Sequence, residues 1–373
     1  MSSASRRSCH LTILVLAPAL EAISGVSEHA RQLMAASSLL DMAFVHFQIG
    51  SEGRHETTAE RILRTIASPI CLAFRIASVR PHIVHINTSL NQKAFWRDVA
   101  YLVVAKVCRC SVVYQVHGGT LGKFLFALSR VARRIAVRAM TLPNVVVVLS
   151  EKERRRFVAT LGKDKKVVVI RNAVNIGQYG RQAAKQYQGT QRRIIYVGRL
   201  HRDKGVLDLL EAVSLLKSRG RTDVSVVIAG SGPHEDLIRS RILELGVQSE
   251  VQMIGAVRGA QKMAVWKDAD IFVLPSYHEG LPYAVLESLA SGTPLITTRV
   301  GAIPEILEEG VHALFVDPGQ PVMLGKAIER LASDGDAFHR MSGECLKRAQ
   351  EEFGIERLAH DIDIVYKGSC GST

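Results

Sequence analysis

The chain has 373 residues, 47% of them apolar, with 48 Lys and Arg against 35 Asp and Glu for a formal charge of +13. That length exceeds what one core fills, so two domains are expected, and the ordinary apolar and charged shares exclude a disordered chain. All of the charge excess is N-terminal: residues 1–172 hold 25 Lys and Arg against 10 Asp and Glu, and residues 173–373 hold 23 against 25. The asymmetry calls for a polyanionic partner of the first half. Aromatic residues make up only 6% of the chain and no nucleic-acid-binding motif is present, so an anionic membrane is expected rather than nucleic acid.

Arg6-Arg7 followed by the apolar run 11–17 imitates a secretory leader. The run is short and opens a strand–turn–helix unit, so it reads as the first strand. No stretch approaches the roughly 18 uninterrupted apolar residues of a spanning helix. A cytoplasmic protein is expected, peripheral at the inner face of the cytoplasmic membrane if it binds lipid. The six cysteines form no CxxC pair and read as reduced thiols. β-Branched runs follow at 43–49, 82–86, 111–116, 145–150 and 166–170, then at 193–197, 224–229, 251–254, 271–275, 294–297 and 313–316, with helical segments between them. Strands apolar throughout are those buried on both faces of parallel sheets. Two doubly wound α/β domains are therefore expected: 1–172, a polar linker at 173–191 with Gly180, Gln182, Gln186, Gln188 and Gly189, and 192–355. Residues 356–373 read as a weakly patterned tail, frayed at its end, with packing back on the first domain as one option.

Several strand ends carry groups suited to a ligand. Ser24-Gly25-Val26 lies between the first strand and a helix, the geometry of a phosphate-binding turn. His117, followed by Gly118-Gly119, ends the fourth strand and can serve as hydrogen-bond donor or acid–base group. After the strand 193–197, the loop from Gly198 to Gly205 holds Arg199 and Lys204, which suit a diphosphate. Gly230-Ser231-Gly232-Pro233 permits close backbone approach to a nucleotide, and equally fits a plain turn. Glu279-Gly280-Leu281-Pro282, ending at Glu287, places two carboxylates around a helix start at a strand's carboxyl end, suited to a hydroxyl-rich ligand. Asp268-Ala269-Asp270 imitates a metal-binding DxD but precedes its strand, and no metal site is expected.

These motifs, with Val300-Gly301-Ala302-Ile303-Pro304-Glu305, resemble in order and spacing those of the retaining glycosyltransferases of the group-1, GT4-like family. The resemblance implies a GT-B fold, two Rossmann-like domains facing each other across a cleft. It implies that Glu279 contacts the transferred sugar and Glu287 the donor ribose, with Gly280 and Leu281 between them. It further implies that Arg199, Lys204 and Gly25 lie against the diphosphate, that Gly230 lines the nucleotide site, and that His117 contacts the sugar near the reaction centre. The family's glycine pair is here Ser24-Gly25, which weakens that part of the match. The expectation is a hexosyl transfer from a UDP- or GDP-sugar to a saccharide, lipid-linked or at the membrane, as in polysaccharide, lipopolysaccharide or glycolipid biosynthesis, without metal or other cofactor. A sugar-nucleotide epimerase and a non-catalytic nucleotide-sugar binder are the alternatives. In residues 122–140, Phe124, Leu125, Leu128, Val131, Ala132, Ile135 and Ala139 share one helical face, opposite Arg130, Arg133, Arg134 and Arg138. That basic amphipathic segment fits an anionic bilayer or, equally, packing on the N-terminal sheet.

Overall fold

The structure, a computed structural model, describes residues 11–54, 56–179, 183–185, 191–221 and 223–370. Arg6-Arg7, Gly180, Gln182, Gln186, Gln188, Gly189 and Gly371-Ser372-Thr373 lie outside the described residues. The chain forms two compact units, one of residues 1–173 with 355–373 and one of residues 174–354.

In the first unit the order is β1 (Leu11–Ala17), α1 (Gly25–Ala36), β2 (Met42–Gln48), α2 (Thr58–Val79), β3 (Ile83–Ser89), α3 (Gln92–Val107), β4 (Ser111–Gly118), α4 (Leu121–Phe126), α5 (Arg130–Thr141), β5 (Val145–Val148), α6 (Glu151–Leu161) and β6 (Val167–Val169). The six strands form one sheet in the order β2-β1-β3-β4-β5-β6, every pairing parallel. Residues alternating along β1 go to different cores. Leu14 and Leu16 join the layer of α2 to α6, whereas Ile13 and Val15 face α1. Burial on both faces is why the strands are apolar runs.

The second unit runs β7 (Arg192–Val197), α7 (Val206–Ser218), β8 (Val224–Ala229), α8 (Glu235–Glu244), β9 (Val251–Gly255), α9 (Gly259–Asp268), β10 (Ile271–Leu274), α10 (Tyr283–Ala290), β11 (Leu295–Thr297), α11 (Ile303–Ile306), β12 (Ala313–Phe315), α12 (Pro321–Ser333) and α13 (Gly335–Glu352). Its sheet order is β12-β11-β10-β7-β8-β9, again all parallel. Strand order reverses between β7 and β10 here, and between β1 and β3 in the first unit. Ligands of open α/β sheets bind at such reversals, outside the carboxyl ends of the strands.

Two expectations need correction, and a third is decided. From Val174 on, the described part of the supposed linker belongs to the second unit: Val174 pairs with Gly354, and the half-buried Lys185 donates from its ammonium to the Trp266 carbonyl at 2.8 Å and to Thr293 Oγ1 at 2.9 Å. A half-buried cation satisfied by fixed oxygens anchors the segment where composition alone suggests free chain. The tail, over its described residues, follows the option of packing back on the first unit. Residues 355–370 form α14 (Ile355–Cys370), whose Leu358, Ile362, Val365 and Tyr366 are buried beside α1 and the sheet of the first unit. Residues 122–140 form two helices, because Ser129 accepts from Ala132 N and caps α5 afresh. The break changes the helical phase, leaving Val131 66% exposed and Ile135 49% exposed beside the arginines.

Candidate active site

In the second unit the switch-point loops pack on one another through glycines. Gly230, after β8, sits so close to β7's loop that a Cβ there would lie 1.9 Å from the Gly198 carbonyl oxygen. Gly232 meets the Leu200 carbonyl in the same way, at 2.3 Å. A third loop joins them: Ala302 N donates to the Gly280 carbonyl at 2.8 Å, and Gly301, at φ +59°, would put a Cβ 2.3 Å from the Glu279 carbonyl oxygen. The motifs, distant in sequence, are thus layered at the carboxyl ends of the strands of one sheet.

Between the loops after β7 and β10 runs an ion pair. Lys204 Nζ donates to Glu279 Oε1 at 2.6 Å, and Ser276 Oγ donates to the same oxygen at 2.7 Å. The Glu279 side chain is 7% exposed, so its charge is held by these donors rather than by water. Gly205, at φ +69°, lets the chain turn from Lys204 into α7 against the Pro275 carbonyl. Arg199 is exposed at the start of the same loop, whose path is fixed by Tyr196 donating to the Arg199 carbonyl at 2.9 Å. Gly280 is half-buried and Leu281 buried where the chain enters α10, which has no side-chain cap.

Glu287 lies one turn into α10, buried, and is tethered by two residues that the sequence did not single out. Lys262 Nζ donates to its Oε1 at 2.6 Å and Trp266 Nε1 to its Oε2 at 3.0 Å. Lys262 and Trp266 are four apart on α9 and so share a face; that spacing was the available signal. The DxD-like pair lies at the opposite, amino ends of the strands. Asp270 accepts from Arg193 N at 2.7 Å and Asp268 pairs with the Arg193 guanidinium at 3.4 Å, which are joints of β7 and β10.

In the first unit, His117 ends β4 and Gly25 opens α1, both at carboxyl ends of strands near the reversal. Ser24 caps α1 by accepting from Ser27 N at 3.2 Å, and no atom lies within 4 Å of where a Gly25 Cβ would stand. Asn87 on β3 donates to the Leu16 carbonyl at 3.3 Å, so its Oδ1 faces the His117 Nε2, 2.8 Å away. That amide orientation puts the ring proton on Nε2 and leaves Nδ1 an acceptor, which has no partner among the described residues. Burial holds His117 well below the usual histidine range, with the neighbouring His29 and His85 adding to the shift. The His29 ring centre is 4.3 Å from that of His117, and burial lowers His29 to about 4. His85, lowered by burial to about 3, has its Nδ1 2.6 Å from the Tyr366 hydroxyl on α14. The histidines around His117 are therefore neutral and, with Asn87, suited to hydrogen-bonding hydroxyls.

Comparison with known proteins bears on the family and the fold. Residues 45–178 match the profile described as Glycosyltransferase Family 4, and residues 181–348 that described as Glycosyl transferases group 1. A glycosyltransferase of Methanocaldococcus jannaschii is 27% identical over 277 residues, 70% of each chain. One from Bacillus subtilis, named for teichuronic acid biosynthesis, is 27% identical over 82% of this chain and 76% of its own. Sucrose-phosphate synthase from Thermosynechococcus elongatus superposes with a TM-score of 0.77 at 16% identity, covering 98% of this chain and all of the other. Anabaena HepE in complex with UDP-glucose does so at 0.76 and 17% identity, covering 96% of this chain and 100% of its own. The two parallel six-stranded sheets are those of the GT-B fold. With the two profiles matching in sequence order over most of its length, the chain belongs to the group 1 glycosyltransferases.

Proposed function

We propose that the protein transfers a hexose from a UDP- or GDP-sugar to a saccharide acceptor that is lipid-linked or held at the membrane, with retention of anomeric configuration and without a metal ion. The Lys204–Glu279 pair carries this reading. It sets a cation and a carboxylate 2.6 Å apart on two strand-end loops at the topological switch point, with Glu287 one turn further along. A nucleotide sugar presents anionic phosphates next to neutral hydroxyls, and this loop set offers Arg199 and Lys204 to the first and Glu279 and Glu287 to the second. The structural relatives crystallised with UDP and with UDP-glucose support a uridine donor.

In the proposed step the bond from the sugar C1 to the phosphate oxygen breaks and a bond from C1 to the acceptor hydroxyl forms on the same face. The acceptor proton passes to the leaving phosphate oxygen. Lys204, Arg199 and the N-terminus of α10 stabilise the charge that develops on the diphosphate. His117, neutral with Nδ1 as acceptor, receives a hydrogen bond from a sugar hydroxyl. Transfer from a labelled UDP- or GDP-sugar, with the product anomer read by NMR, tests the reading. Retention is expected, with activity lost in Glu279→Gln; an inverted product or a trapped covalent glycosyl-enzyme overturns it.

A further inference from the structure

A helix that covers a sheet needs one apolar stripe, and α2 has two. Leu72 and Ile76 face the core. On a separate face Ile62, Ile66, Ile70 and Phe74 follow at four-residue spacing with Leu63 beside them, and Ile66 is 67%, Ile70 59% and Phe74 74% exposed. The stripe continues onto the next helix of the same layer, where Trp96, Val103 and Val107 on α3 share one outward face and Val107 is 77% exposed. Beyond them Phe126 stands 86% exposed, followed by Val131 and Ile135 on α5. Apolar surface spread this widely over one helical layer marks an interaction face.

Its charge identifies the partner. Arg61, Arg75, Arg109, Arg130, Arg133 and Arg134 are exposed around the apolar residues. The acids borne by the helices of this layer, and Glu56 ahead of α2, are engaged: Glu56 with Arg64, Glu60 in the capping box with Thr57, Asp98 with Arg97 and Thr88, Glu151 with Arg154, and Glu153 with Arg156. A surface both apolar and cationic complements acyl chains beneath anionic headgroups. At 22 residues, with an 18-residue stretch of mean hydropathy 1.5, α2 is by length and composition able to span a bilayer. Its place in the fold forbids that: it joins β2 to β3, both paired to β1, and Ser68 Oγ accepts from Tyr101 at 2.9 Å.

We infer that α2, with the outward face of α3, lies in the headgroup–acyl boundary of an anionic bilayer as a monotopic docking surface, with the arginines of α5 against the headgroups. This rests on the membrane part of the proposed function and moves its apolar anchor from residues 122–140 to α2. The test is flotation of the full chain with vesicles of phosphatidylcholine, alone or with phosphatidylglycerol, together with Trp96 quenching by brominated lipids. Binding is expected only with phosphatidylglycerol present, with Trp96 quenched and the buried Trp266 unaffected. Ile66→Glu with Phe74→Glu should lower the bound fraction about tenfold or more with the melting temperature unchanged. Failure of the parent chain to float, absence of quenching, or flotation of the folded double variant like the parent overturns the assignment. So does a lipid-free dimer that the double variant dissociates, which would give the face to a second copy. The quenching needs no substitution and stands even if the variant does not fold. A nucleotide-sugar melting shift on the same preparation separates the two readings: if it persists without lipid binding, only the docking surface is rejected, and if it is absent with lipid binding intact, the transferase reading is.

Discussion

Glu279 Oε1 accepts from both Lys204 and Ser276, and its side chain is almost out of water. Replacing Lys204 by Ala leaves that carboxylate with the Ser276 hydroxyl alone and takes a cation from the proposed diphosphate site. A charge-assisted hydrogen bond is worth about 1.5–3 kcal/mol, so donor affinity in Lys204→Ala should fall at least about tenfold by calorimetric titration. The histidines of the first unit give a pH prediction. An unfolded histidine titrates near 6.5, whereas burial lowers His29 to about 4. The unfolded chain therefore binds the proton first, and stability present above 6.5 is lost as pH falls toward 4. Asp98, raised by burial to about 6, has the opposite sign: the folded state takes up its proton first, which adds stability as pH falls. The comparison of parent with His29→Gln removes the Asp98 contribution. Denaturant unfolding of the parent should show on the order of 2 kcal/mol more loss between neutral pH and roughly pH 5 than the variant; equal losses would place the titrating group elsewhere.

Among the elements, the loops behind the site are specified by glycine contacts. Gly230→Ala would force a methyl into the Gly198 carbonyl, so β7 or β8 must shift, and a loss of about 1–3 kcal/mol with weakened donor binding is expected. Gly335→Ala, where no atom lies within 4 Å of the added carbon, should leave stability unchanged or slightly raised. All twelve strands of the described residues were legible, because burial on both faces makes the inner parallel strands largely apolar and β-branched, while the edge strands β2 and β9 keep enough apolar residues between turns to show. The site loops were legible because each lies directly after such a run. Less visible was whatever depends on a distant partner. The α14 stripe of Leu358, Ile362, Val365 and Tyr366 is diluted by Arg357, His360, Asp361 and Asp363, and gains meaning only against α1 and the first sheet. Lys262 and Trp266 read as ordinary residues of α9 until α10 brings Glu287 to them. The outward stripe of α2 is not legible in the sequence because a helix between two strands is expected to spend its apolar residues on the core. Deleting residues 355–373 uncovers the core that α14 shields, so the truncated chain should lose the cooperative unfolding transition of the first unit; an unchanged calorimetric trace would contradict the packing described.

At the scale of the whole molecule, charge and chemistry are divided between the units. The first sequence half holds the basic excess, the apolar helical layer and the neutral histidine cluster; the other unit holds the carboxylates and cations of the proposed donor site. The +13 charge is thus read as an address on one unit rather than as part of the transfer chemistry. The central claim is that the second unit recognises a nucleotide sugar through Lys204, Glu279 and Glu287. The most direct test is the melting temperature of the full chain against UDP-, GDP- and ADP-sugars. Binding at about a hundredfold excess over Kd stabilises the folded state by roughly 2.7 kcal/mol, a rise of a few degrees. One nucleotide sugar should give that rise in the parent and a much smaller one in Lys204→Ala. No shift with any of them, or the same shift in parent and variant, would contradict the account.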